Sequence, residues 1–290
     1  MIDVNLCRTL ELPATATVAC QGAEGAYSQI AADVLFEDCD ILYMRTFEGV
    51  FRAVESGLCT YGILPIENSN AGSVTDVYDL MKKHRFYVAR SLKMTISHAL
   101  LAKERIALNS VRKIYTHEQT VRQCGDFFEE HPDIEICVCA NNAKAAQLVA
   151  ESDETDIAAL ASQNCGELYG LKTLKINVQN NKNNFTRFIC ISKDCQIIDG
   201  ADRISLMLTL EHRAGALHEV IKQFAEAGFN LLKLESRPIA DTDFEFMFYF
   251  DVQASLEDEG AHILLDKLEN DVQSLTFLGN YTEITQSQIV

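Results

Sequence analysis

A short segment of the sequence places a hydroxyl group and an arginine side by side on a predicted strand. The segment is Asn184-Phe185-Thr186-Arg187-Phe188. Because side chains alternate between the two faces of a strand, Thr186 and Phe188 share one face and Arg187 points to the other. An arginine within a strand needs an anion or an acidic partner. Arg187 is therefore predicted either to meet an anionic ligand or to form a structural salt bridge.

Two further polar clusters occur where a predicted strand gives way to a helix. Glu67 and Asn68 end one strand, and residues 116–119 (Thr-His-Glu-Gln), with Gln123 one turn on, follow another. Carboxylate and amide groups at the carboxyl end of a strand suit hydrogen bonding to a polar substrate. His117 is either a general base or, as is more usual at a helix start, an exposed neighbour of the cap.

The turn Gln21–Ser28 is a weaker candidate of the same kind. It contains Gly22 and Gly25, which permit a tight turn, and Ser28 is placed to donate a hydrogen bond near a helix start. A plain strand-to-helix turn with a capping serine explains the segment equally well.

Several other chemistries leave no trace in the sequence. No glycine-rich phosphate loop and no G-x-S-x-G elbow occur, so nothing indicates a nucleotide, a nicotinamide or a covalent serine mechanism. Cys137 and Cys139 share a strand face, but no second Cys or His pair lies nearby at ligand spacing. Buried free thiols are therefore favoured over zinc.

Composition bounds the compartment and the partners. The N-terminus, Met1–Ala14, shows no secretory signal, so the ten cysteines are expected to be reduced thiols in the cytoplasm. No window approaches the roughly 18–20 apolar residues that span a bilayer. The net charge of −17 would repel nucleic acid. An anionic small substrate is compatible with that charge only if cations gather inside a pocket.

Short β-branched runs alternate with helical patterns over residues 1–200, which is typical of parallel sheets covered by helices. The alternation breaks at a long extended stretch between His84 and Leu101, and again at predicted strands Leu174–Val178 and Phe185–Ser192. These breaks predict two α/β lobes joined by crossing strands, with a ligand between the lobes.

After a polar linker, Asp194–Asp202, the pattern becomes strand-helix-strand-strand-helix-strand. The predicted strands include Phe229–Pro238 and Phe244–Gln253, and the predicted helices are Ala216–Ala227 and Glu257–Asn270. This order predicts a small ferredoxin-like domain.

Taken together, the segments resemble prephenate dehydratase in one order from Val18 to Tyr281. The resembling segments are Gln21–Ser28, Gly62–Leu80, Thr116–Cys124, Ala158–Leu171 and Asn184–Phe188. In the tail, Gly215-Ala216-Leu217 and Glu235-Ser236-Arg237-Pro238 resemble the effector-binding signatures of an ACT domain. No chorismate mutase segment is visible, so the chain resembles the monofunctional form.

The resemblance implies an α/β fold with a two-lobed, periplasmic-binding-protein-like catalytic region over 16–193 and an ACT regulatory domain over 203–285. The lobes are expected at about 16–92 with 172–193, and at 93–171. The family reaction converts prephenate into phenylpyruvate, with loss of water and carbon dioxide. Aromatisation drives it, so neither a cofactor nor a metal is expected.

The resemblance also assigns roles to residues. Thr186 carries catalysis by donating a proton or hydrogen bond to the departing hydroxyl. The expected substrate-binding residues are Ser28, Glu67, Asn68, Thr116, Gln119, Gln123, Arg187 and Phe188. L-Phenylalanine is the expected effector, bound by Gly215, Ala216, Leu217, Asn230, Glu235, Ser236 and Arg237, and ACT pairing implies a homodimer or homotetramer.

Three departures from the family pattern leave alternatives open. The family's Ser-His-Pro-Gln reads Thr-His-Glu-Gln at 116–119, a common Ser-Thr pair reads Asn141-Asn142, and the usual Gly-Pro reads Gly22-Ala23. The last variant also occurs in arogenate dehydratases, so arogenate is an alternative substrate. The remaining alternatives are a two-lobed binding protein without catalysis and a regulator that kept the fold.

Overall fold

A computed structural model describes residues 12–198, 200–239 and 245–285, and these form three sheets with helices packed against them. Over residues 12–198 the elements are β1 (Thr15–Gln21), α1 (Tyr27–Leu35), β2 (Asp38–Met44), α2 (Phe47–Glu55), β3 (Tyr61–Asn68), β4 (Gly72–Ser73), α3 (Thr75–Met81), β5 (Tyr87–Thr95), β6 (Ala99–Ala102), β7 (Lys113–His117), α4 (Glu118–Gln123), α5 (Gly125–Glu130), β8 (Glu135–Cys139), α6 (Asn142–Glu151), β9 (Ile157–Ala161), α7 (Gln163–Leu168), β10 (Lys172–Lys175) and β11 (Phe185–Ser192). The remainder contains β12 (Arg203–Thr209), α8 (Ala216–Glu226), β13 (Asn230–Pro238), β14 (Phe246–Gln253), α9 (Glu259–Asp271), β15 (Ser274–Tyr281) and β16 (Glu283–Thr285).

The first lobe is built on a mixed sheet in the order β16-β5-β11-β3-β1-β2, with the short β4 paired to β3. β1 runs parallel to β2 and β3, as the alternation of strands and helices predicts. β11 lies between β3 and β5 and is antiparallel to both. Local signals start the helices: the Thr46 hydroxyl accepts a hydrogen bond from the Gly49 amide at the start of α2, as an N-cap does.

The second lobe is built on a sheet in the order β10-β6-β9-β7-β8. The chain enters it between β5 and β6 and returns between β10 and β11, so two crossings join the lobes. β10 pairs with β6, which puts residues 172–175 in the second lobe rather than the first, where the predicted boundary put them.

The C-terminal unit (β12–β15 with α8 and α9) has the predicted strand and helix order, and its sheet runs β13-β14-β12-β15. One face of this sheet packs against α8 and α9. The other face packs on the first lobe through Met207, Tyr249 and Tyr281. At β15 the backbones approach so closely that a Cβ on Gly279 would overlap the Val88 carbonyl.

Some elements differ from the predictions. The single helix expected after residue 117 is broken at Cys124, whose backbone leaves helical geometry between α4 and α5. A strand expected at Leu174–Val178 lies instead at β10. β16 was not predicted, and it leaves the C-terminal sheet to run parallel to β5. Phe244, the predicted start of the strand that begins at Phe246, lies outside the described residues.

The cysteines and helices also bear on the composition arguments. Among the described cysteines, eight are free thiols, including Cys137 and Cys139, whereas Cys195 is disulfide-bonded. The prediction that all ten cysteines are reduced was therefore wrong for Cys195. Within the described ranges, no group of three or more His, Cys, Asp and Glu side chains is arranged to hold a metal ion. No helix among the described residues has the length and apolar character needed to cross a membrane.

Candidate active site

A cavity of about 520 Å³ lies where the two lobes meet. The carboxyl ends of β1, β3 and β7, the first residues of β11 and the start of α6 all reach it, as expected for a ligand site in an α/β fold. Of the predicted site residues, six line it: Ser28, Asn68, Gln119, Gln123, Thr186 and Phe188. In the described part of the lining there is no lysine or arginine, and Asp76 is the one carboxylate. The cations expected there from the composition are not found.

Thr186 and Asn68 face each other across two antiparallel strands. They are directly paired in the register of β11 with β3, so their side chains emerge on the same face. The Asn68 amide nitrogen Nδ2 lies 3.0 Å from Thr186 Oγ1 and 2.7 Å from Asn184 Oδ1. Both side chains of the pair are more than nine-tenths buried.

The orientation of the Asn68 amide is fixed by the backbone that follows it. Asn68 Oδ1 accepts hydrogen bonds from the backbone amides of Asn70, at 3.0 Å, and Ala71, at 2.9 Å. An amide oxygen accepts and an amide nitrogen donates, so these two bonds put Nδ2 toward Thr186. Thr186 Oγ1 is therefore the acceptor in the pair, and its own proton is left to be donated elsewhere.

On the second-lobe side of the cavity, His98 holds Gln123. His98 Nε2 lies 2.8 Å from Gln123 Oε1, and the His98 backbone amide donates to Gln179 Oε1 at 2.9 Å. Burial lowers the pKa of His98, although the bond to Gln123 works in the opposite direction. A neutral ring that donates through Nε2 leaves the Gln123 amide nitrogen as the end that faces a ligand.

Thr116 stands behind the cavity rather than in its lining. It is fully buried, and its Oγ1 lies 3.0 Å from the Leu160 carbonyl and 3.1 Å from Asn142 Oδ1. The same Asn142 oxygen accepts from the His117 backbone amide at 2.8 Å. Asn142, an amide where the family pattern has a hydroxyl, thus ties the end of β7 to the start of α6.

Glu67 and Arg187 point away from the cavity, because each neighbours a residue that points into it. Glu67 Oε1 pairs with Lys233 Nζ at 2.7 Å. Arg187 forms an ion pair with Asp251, and its Nε lies 2.7 Å from Glu283 Oε2. The prediction that these two residues meet a substrate disagrees with this placement. Of the two roles left open for Arg187, the geometry favours the structural salt bridge.

The predicted effector residues divide into two groups. Gly215, with φ of 90°, precedes α8, and Ala216 and Leu217 line a separate cavity of about 130 Å³ with Phe246 and Phe248. The others lie on β13: Asn230 and Ser236 are exposed, Glu235 accepts from the Ser73 hydroxyl at 2.6 Å, and Arg237 pairs with Asp79 at 2.8 Å. Glu235 and Arg237 thus contact the first lobe.

Sequence reasoning missed several residues of the site. His98 and Tyr27 line the cavity, and burial raises the pKa of Tyr27 to about 12 while its hydroxyl bonds the Ser97 backbone. His98 lies in the crossing between β5 and β6, where no periodic pattern marks it. Tyr27 belongs to the apolar face of α1, which hides its polar end. The position of His98 and Tyr27 in the cavity is evident only from the way the two lobes lie against each other.

Known proteins resemble this chain over most of its length. Residues 18–196 match the family model of prephenate dehydratase. The chain is 33% identical over 276 residues to arogenate dehydratase/prephenate dehydratase 2 of Arabidopsis thaliana, covering 91% of this chain and 72% of that one. The structure is similar to prephenate dehydratase of Arthrobacter aurescens in complex with L-Phe, with a TM-score of 0.81, 27% identity and coverage of 92% and 90%. It is also similar to GqqA, described as a novel type of quorum-quenching acylase, with a TM-score of 0.83, 28% identity and coverage of 92% and 98%.

The buried state of His98 predicts a specific pH dependence of stability. The lowered pKa means that the unfolded chain takes up a proton near the ordinary value of 6.5, whereas the folded protein resists it. The free energy of unfolding should therefore decrease as the pH falls below 6.5, and His98→Gln should reduce that decrease. Urea unfolding measured between about pH 7.5 and 5 tests this, with the exposed His212→Gln as control. If the curves of His98→Gln and the wild type are parallel, His98 does not titrate as described.

Proposed function

The chain belongs to the prephenate dehydratase family, and we propose that its cavity between the lobes converts prephenate into phenylpyruvate. The observation that carries the proposal is the Thr186 hydroxyl, which lines the cavity while its oxygen accepts a bond from Asn68. Because Thr186 Oγ1 already accepts a hydrogen bond from Asn68, its own proton can be donated to a ligand in the cavity.

The reaction removes two groups from one ring, a carboxylate and a hydroxyl. The ring carboxylate leaves as carbon dioxide, and the electron pair of its C–C bond moves into the ring. The C–O bond opposite breaks, and the leaving hydroxide takes up a proton to become water. Because the ring becomes aromatic, the bonds that break need no external electron acceptor, and the protein has to fix the geometry and assist the leaving group.

Thr186 is the group proposed to assist the leaving hydroxide. A threonine hydroxyl is a weak acid, but the Asn68 donor 3.0 Å from Oγ1 stabilises the negative charge that builds on this oxygen as its proton is shared. Positioned acid assistance contributes about 10²–10⁴-fold in rate. Asn68 is thus proposed to act on Thr186 and not only on the substrate.

The two substrate carboxylates are proposed to bind neutral donors. The described lining contains no lysine or arginine, whereas Ser28, Gln119 and Gln123 bring hydroxyl and amide groups to it. Hydrogen bonds from neutral donors in a partly enclosed site bind anions without a full counter-charge.

Arogenate remains the alternative substrate, since it differs from prephenate only in carrying an amino group where prephenate has a keto group. The Arabidopsis relative bears both activities in its name. Parallel assays with the two substrates separate them. We propose that prephenate is preferred, because the one carboxylate in the described lining, Asp76, is exposed, so that no buried carboxylate there would pair with the ammonium group of arogenate.

The regulatory part of the proposal assigns residues 203–285 to an ACT domain and 16–193 to the catalytic region. L-Phenylalanine, which the Arthrobacter relative binds, is the proposed effector. The cavity beside α8 supports it, because Leu217, Phe246 and Phe248 offer an apolar surface for an aromatic ring. The polar contacts of Glu235 and Arg237 with the first lobe offer a route by which binding there could alter the catalytic region.

We also propose that the enzyme is a homodimer or homotetramer in the cytosol. β13 is an edge strand of its sheet, and Leu232 and Leu234 on it are 38% and 39% exposed. An exposed apolar edge is a surface on which a second copy could extend the sheet. The proposed compartment rests on the eight cysteines among the described residues that are free thiols, and the disulfide-bonded Cys195 does not support it.

Replacing Thr186 tests the catalytic proposal. Thr186→Ala should lower kcat on prephenate by about 10²–10⁴-fold, because the donor to the leaving hydroxide is lost. Thr186→Ser keeps the hydroxyl and should retain most of the rate. Phenylpyruvate formation measures both, with circular dichroism to verify folding. Unchanged turnover in folded Thr186→Ala would remove this residue from the mechanism, and no turnover of either substrate by the wild type would favour a non-catalytic protein.

Replacing Leu217 tests the effector site. Leu217→Gln should weaken L-phenylalanine binding by about tenfold or more, because burying one leucine side chain contributes about 1.5–3 kcal/mol. Isothermal titration calorimetry measures the affinity, and His218→Gln, at the exposed neighbouring position, is the control. Equal affinities in the two variants would place the effector elsewhere.

A further inference from the structure

Arg187, which directly follows Thr186 on β11, is anchored by the C-terminal part of the chain. It is paired with Asp251 on β14, its Nη2 donates to the Tyr281 hydroxyl at 2.9 Å, and its Nε lies 2.7 Å from Glu283 on β16. Asp251 is fully buried, and Arg187 is 9% exposed. These three contacts hold the Arg187 side chain against the C-terminal part of the chain.

Asp251 is itself held in place. Its Oδ1 accepts from the Ser205 hydroxyl and lies 3.3 Å from the Tyr281 hydroxyl, while Oδ2 faces Arg187. Ser205 in turn lies 2.7 Å from the Tyr281 hydroxyl. Each carboxylate oxygen thus has a partner, which lets the charge remain buried. Asp251 is positioned by Ser205 and Tyr281, and it in turn positions Arg187.

The strand pairing changes register at the residue that Asp251 holds. Thr186 pairs with Asn68 and Arg187 with Glu67, but Phe188 pairs with Pro65, so β3 has one extra residue at this point. A bulge of this kind bends the strand and redirects the neighbouring side chains. The bulge lies in β3 next to Glu67, so the position of Asn68 opposite Thr186 depends on a local distortion, and Arg187 pairs with β3 at that distortion.

We infer that Asp251, through its contact with Arg187, is a positioning residue for Thr186. This inference rests on the proposed function of Thr186. Asp251 touches neither the cavity nor a substrate, and acts by keeping β11 in the geometry in which Thr186 meets Asn68. The C-terminal unit is then a part of the catalytic apparatus as well as the place where an effector binds.

The alternative partners of Arg187 explain why Asp251 matters most. Glu283 is shared, because its other oxygen lies 3.0 Å from Arg203 Nη2. The Tyr281 hydroxyl is neutral. If Asp251 loses its charge, Arg187 is drawn toward Glu283, and β11 loses its anchor at the point where it pairs with the bulge of β3.

The test uses Asp251→Asn in the full-length protein, with the exposed Asp266→Asn of α9 as a matched control. Because a displacement of about 1 Å at a reacting group costs up to about 10²-fold in rate, Asp251→Asn should lower kcat on prephenate by about 10- to 100-fold. KM should change little, since the cavity lining is intact. Asp266→Asn should match the wild type in both constants.

A double-mutant cycle separates positioning from general loss of structure. In a Thr186→Ala background there is no hydroxyl to misplace, so Asp251→Asn should have almost no further effect on the residual rate. Multiplying rate losses, or an unchanged kcat in the single variant, would overturn the inference. If Asp251→Asn does not fold, the same cycle with Tyr281→Phe, which removes one Arg187 acceptor, decides. Full activity of Thr186→Ala alone would instead contradict the proposed function.

Discussion

The hydrogen bond from Asn68 Nδ2 to Thr186 Oγ1 is the contact on which the site depends. It exists because β11 returns from the second lobe and inserts antiparallel between β3 and β5, which sets the two residues opposite each other. The two backbone amides that bind Asn68 Oδ1 then decide which end of the amide faces the hydroxyl. The pairing of β3 with β11 and the turn after Asn68 together determine the direction in which the Thr186 hydroxyl can donate its proton.

Because side chains alternate along a strand, the two faces of β3 and β11 make different contacts. Asn68 and Thr186 point into the cavity, whereas their neighbours Glu67 and Arg187 point to the C-terminal unit and pair there with Lys233 and Asp251. The alternation therefore places the residues proposed for catalysis next in sequence to the residues that contact the C-terminal unit. A movement of the C-terminal sheet against the first lobe would therefore act on these strands, which is how the proposed effector binding would influence the cavity.

The sequence predicts what depends on local pattern. The alternation of strands and helices predicts the lobes, the βαββαβ order predicts the C-terminal unit, and strand period places Thr186 and Arg187 on opposite faces. It does not predict contacts between distant segments. Asp251, the acidic partner of Arg187, is 64 residues away in the sequence. His98, in the crossing between the lobes, contacts Gln123 at the end of α4. The prediction of cations in the pocket was wrong for a related reason: composition shows an excess of acidic over basic residues, but it does not show which side chains line the pocket.

The steady-state kcat of Asn68→Asp on prephenate tests most directly whether the Asn68–Thr186 hydrogen bond controls the reaction. An aspartate keeps the oxygen that accepts from the two backbone amides, but it replaces the Nδ2 donor with a second acceptor oxygen. The Thr186 hydroxyl would then donate its hydrogen bond to this carboxylate and not to the substrate. We predict a fall in kcat of about 10²-fold or more, because the acid assistance is lost. The exposed Asn181→Asp, which makes the same chemical change in a neighbouring loop, should retain the wild-type rate. A folded Asn68→Asp enzyme with an undiminished kcat would show that the direction of the Thr186 proton does not control the reaction.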